Sequence, residues 1–139
     1  MVPKKPDMVN VFIRDENLDA LLIHNIGFNG DTDRWEFTGG KVRDDEDLEK
    51  KAIDEAFEEL GIKVRLNGIF GDYKTQTPEG DFLCRTYFGE IVEGKPKIKE
   101  KKHDKFDYFS YKELESLAKQ GSLVPNLRQA LPKLKEYMR

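Results

Sequence analysis

The sequence predicts one α+β domain built around a mixed sheet, and three observations lead there. Short runs rich in β-branched and aromatic residues recur on both sides of one long helical pattern. Within that pattern Leu48, Ala52, Ala56 and Leu60 repeat at four-residue spacing, the mark of a helix with one apolar stripe. Two further helix patterns, 111–120 and 126–138, close the chain.

The composition narrows the class. A chain of 139 residues makes one domain with a real core. Its net charge of −3 argues against a nucleic-acid polymer as partner, because neutralising phosphates calls for a basic face. No apolar run approaches the roughly 18 residues that a membrane helix requires, and the first ten residues hold no apolar signal core. Cys84 is the one cysteine, so no intrachain disulfide forms, and a reducing cytoplasmic location is the expectation. In a strand pattern, Cys84 reads as a small apolar residue.

In chain order, residues 1–7 carry two prolines and two lysines and read as a flexible tail, leaving 8–139 as the domain. Val9–Arg14 and Leu18–His24 are strand runs separated by the turn cluster Asp15-Glu16-Asn17, and together they predict a hairpin. Asn25–Asp33, with Gly27, Asn29 and Gly30, is a loop. Trp35-Glu36-Phe37 is a short strand that delivers the chain to Gly39-Gly40. The helix follows over Asp47–Leu60, with Ile53 and Phe57 flanking its stripe. Acidic residues at its start suit the helix dipole, and Gly61 stands where a left-handed cap belongs. Val64–Tyr73 and Phe82–Val92 are strands joined by a turn over Lys74–Asp81 that contains Pro78 and Gly80. Lys97–Lys105 reads as a loop and Phe106–Tyr111 as a short aromatic strand. Pro132 falls inside the last helix and should kink it or delay its start.

The charge pattern of the first helix is unusual. Asp54, Glu55, Glu58 and Glu59 crowd its C-terminal end, where peptide dipoles leave partial negative charge. Glu55, Glu58 and Glu59 share one face, set apart from the apolar stripe. Hard divalent cations bind carboxylate and carbonyl oxygens, so a bound metal relieves both the mutual repulsion and the dipole penalty. A solvated acidic face is the other reading of the glutamates alone. A glycine pair after a strand lets the backbone approach a ligand closely.

Gly40, five residues, Glu46, seven residues, then Asp54-Glu55-Ala56-Phe57-Glu58-Glu59-Leu60-Gly61-Ile62 resembles the Nudix box. Eight of its nine defined positions fit; Asp54 stands where that pattern has arginine. The resemblance is to MutT-type members. It extends to Arg34–Lys41, to the Ile13–Asn17 turn, and to Leu123-Val124-Pro125-Asn126 with the Lys-rich helix that follows. It implies a Nudix fold, an α/β/α sandwich whose box is a loop–helix–loop. It also implies Mg²⁺- or Mn²⁺-dependent hydrolysis of a nucleoside diphosphate linked to a moiety X, giving a nucleoside phosphate and phosphoryl-X.

Carried over by position, the resemblance makes Glu58 and Glu59 the principal metal ligands and Glu55 a ligand or the base that orients water. The Gly40 carbonyl completes the metal shell, and Glu46 lies near the reactive water. A further loop acid is expected from Asp104 or Asp107, with Glu100 behind; Asp107, before Tyr108-Phe109, fits the pattern best. His103 reads as a surface histidine, and His24 as structural or a contact on the base side. Lys41 is a phosphate contact, and Phe37 or Trp35 a stacking surface for a base. Asn126 either reads a purine edge or caps the last helix. The first expected substrate is a nucleoside triphosphate or an oxidised purine triphosphate. ADP-ribose or a nucleoside diphosphate sugar is the alternative, for which Pro78 is the one marker. Asp54 also leaves open a nucleotide-binding domain with weak or no catalysis. The partner is a small nucleotide and the assembly a monomer or homodimer.

Overall fold

Residues 5–77 and 80–139 are described by a computed structural model. Residues 1–4 of the expected tail, and Pro78 at the expected turn, lie outside the described residues. The chain runs β1 (Met8–Ile13), β2 (Ala20–Asn25), β3 (Arg34–Glu36), β4 (Thr38–Lys41), α1 (Leu48–Leu60), β5 (Lys63–Thr77), β6 (Gly80–Glu93), β7 (His103–Phe109), α2 (Tyr111–Lys119) and α3 (Pro125–Leu134).

The strands form two groups. One is mixed, in the order β4-β1-β6-β5, with β1 parallel to β6 and antiparallel to β4. The other, β3-β2-β7, is antiparallel throughout. Side-chain alternation along β1 and β2 sorts the core into two layers. Val9, Val11, Ile13, Leu21 and Ile23 pack against Ala52, Ala56 and Leu60 of α1. Phe12, Ala20 and Leu22 face the other way, onto Leu114 of α2 and Leu127, Ala130 and Leu134 of α3. The result is an α/β/α sandwich on a mixed sheet, as the sequence predicts.

Several local expectations give way. The β1–β2 hairpin keeps its turn, where Asp15 accepts from the amides of Asn17 and Asp19, but the strands part after a single Arg14–Ala20 bridge. Each is a central strand with both edges paired elsewhere, so they cannot also pair with each other. The turn expected over 74–81 is mostly strand: Lys74, Thr75, Gln76 and Thr77 pair with Leu83, Phe82, Asp81 and Gly80. Ile53 and Phe57 do not join the buried stripe of α1. They are 36% and 49% exposed, and the face against the sheet is Ala52, Ala56, Glu59 and Leu60. Alanines let the helix approach the strands closely, and that rotation takes Glu59 inside.

Residues 5–7, expected to belong to the flexible tail, dock instead. Lys5 Nζ donates to the carbonyls of Arg43, Asp44 and Glu46 at 3.3, 2.8 and 2.9 Å. The Asp7 amide donates to Leu83 O, and Asp7 O accepts from the Val42 amide. The last helix starts at Pro125, runs through Pro132 and stops at Leu134, short of the expected Met138. No helix among the described residues is long and apolar enough to cross a membrane.

Candidate active site

The site is assembled where the start of α1, its C-terminal half and the 97–103 segment meet the β4 glycines. Asp47 caps α1, its carboxylate accepting from the Lys50 amide, and Gly61 ends the helix in the left-handed region at φ 69°. A cleft of about 760 Å³ opens here, bordered by Gly39, Gly40, Glu55, Glu58, Glu59 and Glu100, with Lys41, Arg43, Lys51 and Lys102 around it. A second groove, about 450 Å³ beside Arg14 and Tyr137, lies at the other end of β1 and holds none of the expected site residues.

Glu59 is the innermost carboxylate, 2% exposed. Its Oε1 accepts from the Thr38 hydroxyl at 2.7 Å and the Gly39 amide at 2.8 Å. Its Oε2 faces Lys102 Nζ at 3.9 Å and His103 Nε2 at 3.7 Å. Burial pushes its pKa up to about 7, against the pull of those hydrogen bonds and of His103. Glu55 packs on Gly40 so closely that a Cβ there would meet its Cδ at 2.7 Å. Burial raises the Glu55 pKa, and Lys51, with Nζ 3.1 Å away, opposes the rise. Glu46 accepts from the Arg43 amide at 2.8 Å and lies 3.4 Å from the same Lys51 Nζ. The amide bond first, then Lys51, holds its pKa down. Glu58 is exposed at the cleft.

The 97–103 segment supplies what the helix end lacks. No basic residue lies in the last turn of α1, but the Lys97 amide donates to Leu60 O at 3.0 Å. The Lys99 side chain lies beside Gly61, with its ammonium 5.5 Å from the Phe57 ring centre. Further along, Glu100 and His103 bring ligand atoms within 4.8 Å of Glu59 and of one another. Glu100 Oε1 and both ring nitrogens of His103 are buried without a hydrogen-bond partner. His103 Nε2 also lies 3.5 Å from Glu36 Oε1, and such oxygen and imidazole ligand atoms without hydrogen bonds around one carboxylate are the set that a divalent cation satisfies.

Several expected residues stand elsewhere. Asp107 is not brought to the cleft. On β7 it pairs with Leu22, on the α3 side of the sheet, and its carboxylate accepts the Tyr108 amide. Asp104 bonds His24 Nδ1 at 2.7 Å, and His24 Nε2 meets Asp33 at 2.6 Å, which makes His24 a buried tie between loop and strand. His103, expected at the surface, is 3% exposed. Phe37 is 3% exposed and packs on Phe12 with ring centres 5.5 Å apart. Trp35 is enclosed by His24 and Phe109. Neither ring offers a free face to a base. Val124, not Asn126, is the N-cap of α3. Asn126 donates weakly to Cys84 Sγ at 3.6 Å and lines a small crevice with Asn10, Glu36 and Gly39. Lys41 is exposed at the cleft rim, its ammonium 5.6 Å from the Phe82 ring centre. Burial pushes the Cys84 thiol up to about 12, in keeping with a packing role.

Lys51 and His103 are the residues that sequence reasoning passed over. Lys51 was readable as the i,i+4 partner of Glu55. His103 had no local signal, because its burial depends on how the 97–103 segment folds back.

Residues 4–134 match the NUDIX domain, and the chain belongs to the Nudix family. It is a hydrolase acting on phosphoric anhydride bonds. Solved structures with this fold include the MutT protein of Methanosarcina mazei Go1, which is 24% identical over 97% of each chain, with a TM-score of 0.78. A MutT NUDIX hydrolase from Burkholderia pseudomallei is 22% identical over 93% of this chain and 98% of that one, also at 0.78. A NUDIX hydrolase from Nitrosomonas europaea is 21% identical over 95% and 89%, again at 0.78.

Proposed function

We propose that this protein is a divalent-metal-dependent pyrophosphohydrolase for a small nucleotide, with a nucleoside triphosphate or an oxidised purine triphosphate as substrate. The observation that carries the reading is the convergence of Glu55, Glu58, Glu59 and Glu100 on one cleft edged by Lys41, Arg43, Lys51 and Lys102, with His103 buried beside Glu59 and Glu100. Acids and an imidazole suit the cation, and the basic rim suits a polyphosphate chain.

Glu58, Glu59, Glu100 and His103, with Glu55 and the Gly40 backbone beside them, are the residues that would hold the cation. When bound, it neutralises charge on the phosphate oxygens and activates water. The chain does the rest. Lys41 and Arg43 at the rim bind and orient the phosphates. Glu55, pressed on Gly40 and tied to Lys51, accepts the proton of the attacking water, with Glu46 next to it across the same lysine. Water adds to one phosphorus, the bridging P–O bond breaks, and the leaving phosphate departs. With Phe37 and Trp35 enclosed, base recognition falls to the amides of Asn126 and Asn10, whose Oδ1 is buried and unpaired.

The test is a hydrolysis screen of nucleoside triphosphates, oxidised triphosphates, ADP-ribose and dinucleoside polyphosphates, run with Mg²⁺ and with Mn²⁺. Turnover of a triphosphate that collapses by at least about 10³-fold in Glu58→Gln is the expected result. No turnover on the panel with either metal overturns the proposal.

A further inference from the structure

Glu46, on the loop before α1, and the helix acids Glu55, Glu58 and Glu59 sit on separate pieces of backbone. Something must hold the loop acid and the helix acid at a fixed distance. Asp54 cannot, since it is itself an acid, and its carboxylate turns outward to Lys50 Nζ at 2.7 Å. The turn before it supplies the cation. Lys51 Nζ lies 3.1 Å from Glu55 Oε1 and 3.4 Å from Glu46 Oε2, with its side chain 21% exposed and Glu55 14% exposed.

We infer that Lys51 is the positioning residue of this active site, a single ammonium that pins Glu46 of the loop to Glu55 of the helix and presses Glu55 onto Gly40. The inference rests on the pyrophosphohydrolase reading for its effect on rate, but the geometry stands without it. Three arguments support it. With Lys51, Glu55 and Glu46 at 21%, 14% and 31% exposure, solvent screens this ammonium less than it screens a fully exposed pair. Gly40 has no side chain, so the Glu55 carboxyl can rest on its backbone; Lys51 holds the other side of that carboxyl. The loop is fixed at a second point as well, since Lys5 binds the carbonyls of Arg43, Asp44 and Glu46. Lys51 therefore acts on the Glu46 side chain while Lys5 acts on its backbone. The neighbouring Lys50 and Asp54 pair with each other in solvent, and the helix-borne cation that reaches the site comes from position 51.

The experiment compares Lys51→Met, Lys51→Arg, the double variant Lys51→Met/Asp54→Arg, and the outward-pair control Lys50→Met/Asp54→Ala. Each is measured for kcat and KM, for Mn²⁺ affinity by calorimetry, and for melting temperature. Partners of this kind typically set metal affinity or activity by about 10–100-fold. The expected result for Lys51→Met is a loss of that size in Mn²⁺ affinity and in kcat, with KM and melting temperature little changed. Lys51→Arg recovers most of both, whereas the double variant, whose position 54 faces outward beside Lys50, does not. The control behaves as wild type. Wild-type kcat and Mn²⁺ affinity in Lys51→Met overturn the inference, and so does a loss that Lys51→Arg fails to recover. If the wild type hydrolyses nothing but Lys51→Met still loses Mn²⁺ affinity, the function proposal fails and the positioning role stands.

Discussion

Glu59 carries an acid where an unpaired charge is costly, and it shows how a functional residue differs from a packing one. Its 2% exposure is that of a core side chain, yet two donors hold one oxygen and the other faces the Glu100–His103 group. The folded pKa of about 7 lies above the ordinary 4.5, so without metal the native state binds a proton that the unfolded chain releases. The sign follows: stability of the metal-free protein is highest below pH 4.5 as far as this group is concerned, and it falls as pH rises toward 7. Urea unfolding in EDTA is therefore expected to show a higher midpoint at pH 5.5 than at pH 8. Glu59→Gln, which keeps an acceptor for Thr38 and Gly39 and removes the charge, flattens that difference while abolishing metal-dependent activity. An unchanged pH difference in Glu59→Gln sinks the assignment.

At the scale of elements, α1 and β4 are fitted to each other by the two glycines, which serve different ends. A Cβ on Gly39 would sit 2.1 Å from Val9 O and 2.5 Å from Asn10 Cβ, against backbone that pairs β4 with β1. A Cβ on Gly40 would meet only the Glu55 side chain among its three nearest atoms. Gly39→Ala is accordingly expected to destabilise by about 3 kcal/mol or more, because a sheet strand must move. Gly40→Ala costs less than about 1 kcal/mol, since a flexible carboxyl yields, but activity falls by at least about 10²-fold as Glu55 is displaced. Denaturant midpoints and turnover on the same samples check both; equal destabilisation by the two substitutions contradicts the distinction.

For the molecule as a whole, the sandwich brings distant chain segments to one cleft. Residues 5–7 brace the loop before α1 from the N-terminal side, and the 97–103 segment closes over the far end of the helix. Lys5 supplies three bonds from its ammonium, all to backbone of residues 43–46 and none to the core. Lys5→Met is expected to speed hydrogen exchange at the Val42 and Glu46 amides and to lower kcat by a few-fold. Exchange in β1 and β2, and the melting temperature, should stay close to wild type. Unchanged exchange at Val42 and Glu46 means that the brace does not hold the loop.

Read alone, the sequence determined the elements that depend on neighbours in the chain. The period of α1, its acidic start and Gly61 stop, the glycine pair and the spacing of Glu46, Glu55, Glu58 and Glu59 are all local patterns, and they sufficed for the fold class and for most of the cleft. Partnership across the chain was a matter for the tertiary structure. The β1–β2 turn predicted a hairpin because a turn signal cannot report which strands take the other edges. Phe37 read as a base platform and His103 as a surface residue because burial is a property of the packed layers, not of a local run. Asp107 was favoured over Glu100 because which face of β7 meets the cleft follows from its register with β2. Asp54 is the clearest case. The sequence put an acid where the family pattern has arginine, and the i,i+4 spacing of Lys51 and Glu55 was local; that the same ammonium also reaches Glu46 on the preceding loop was decided by the tertiary structure, since that reach depends on three-dimensional distance.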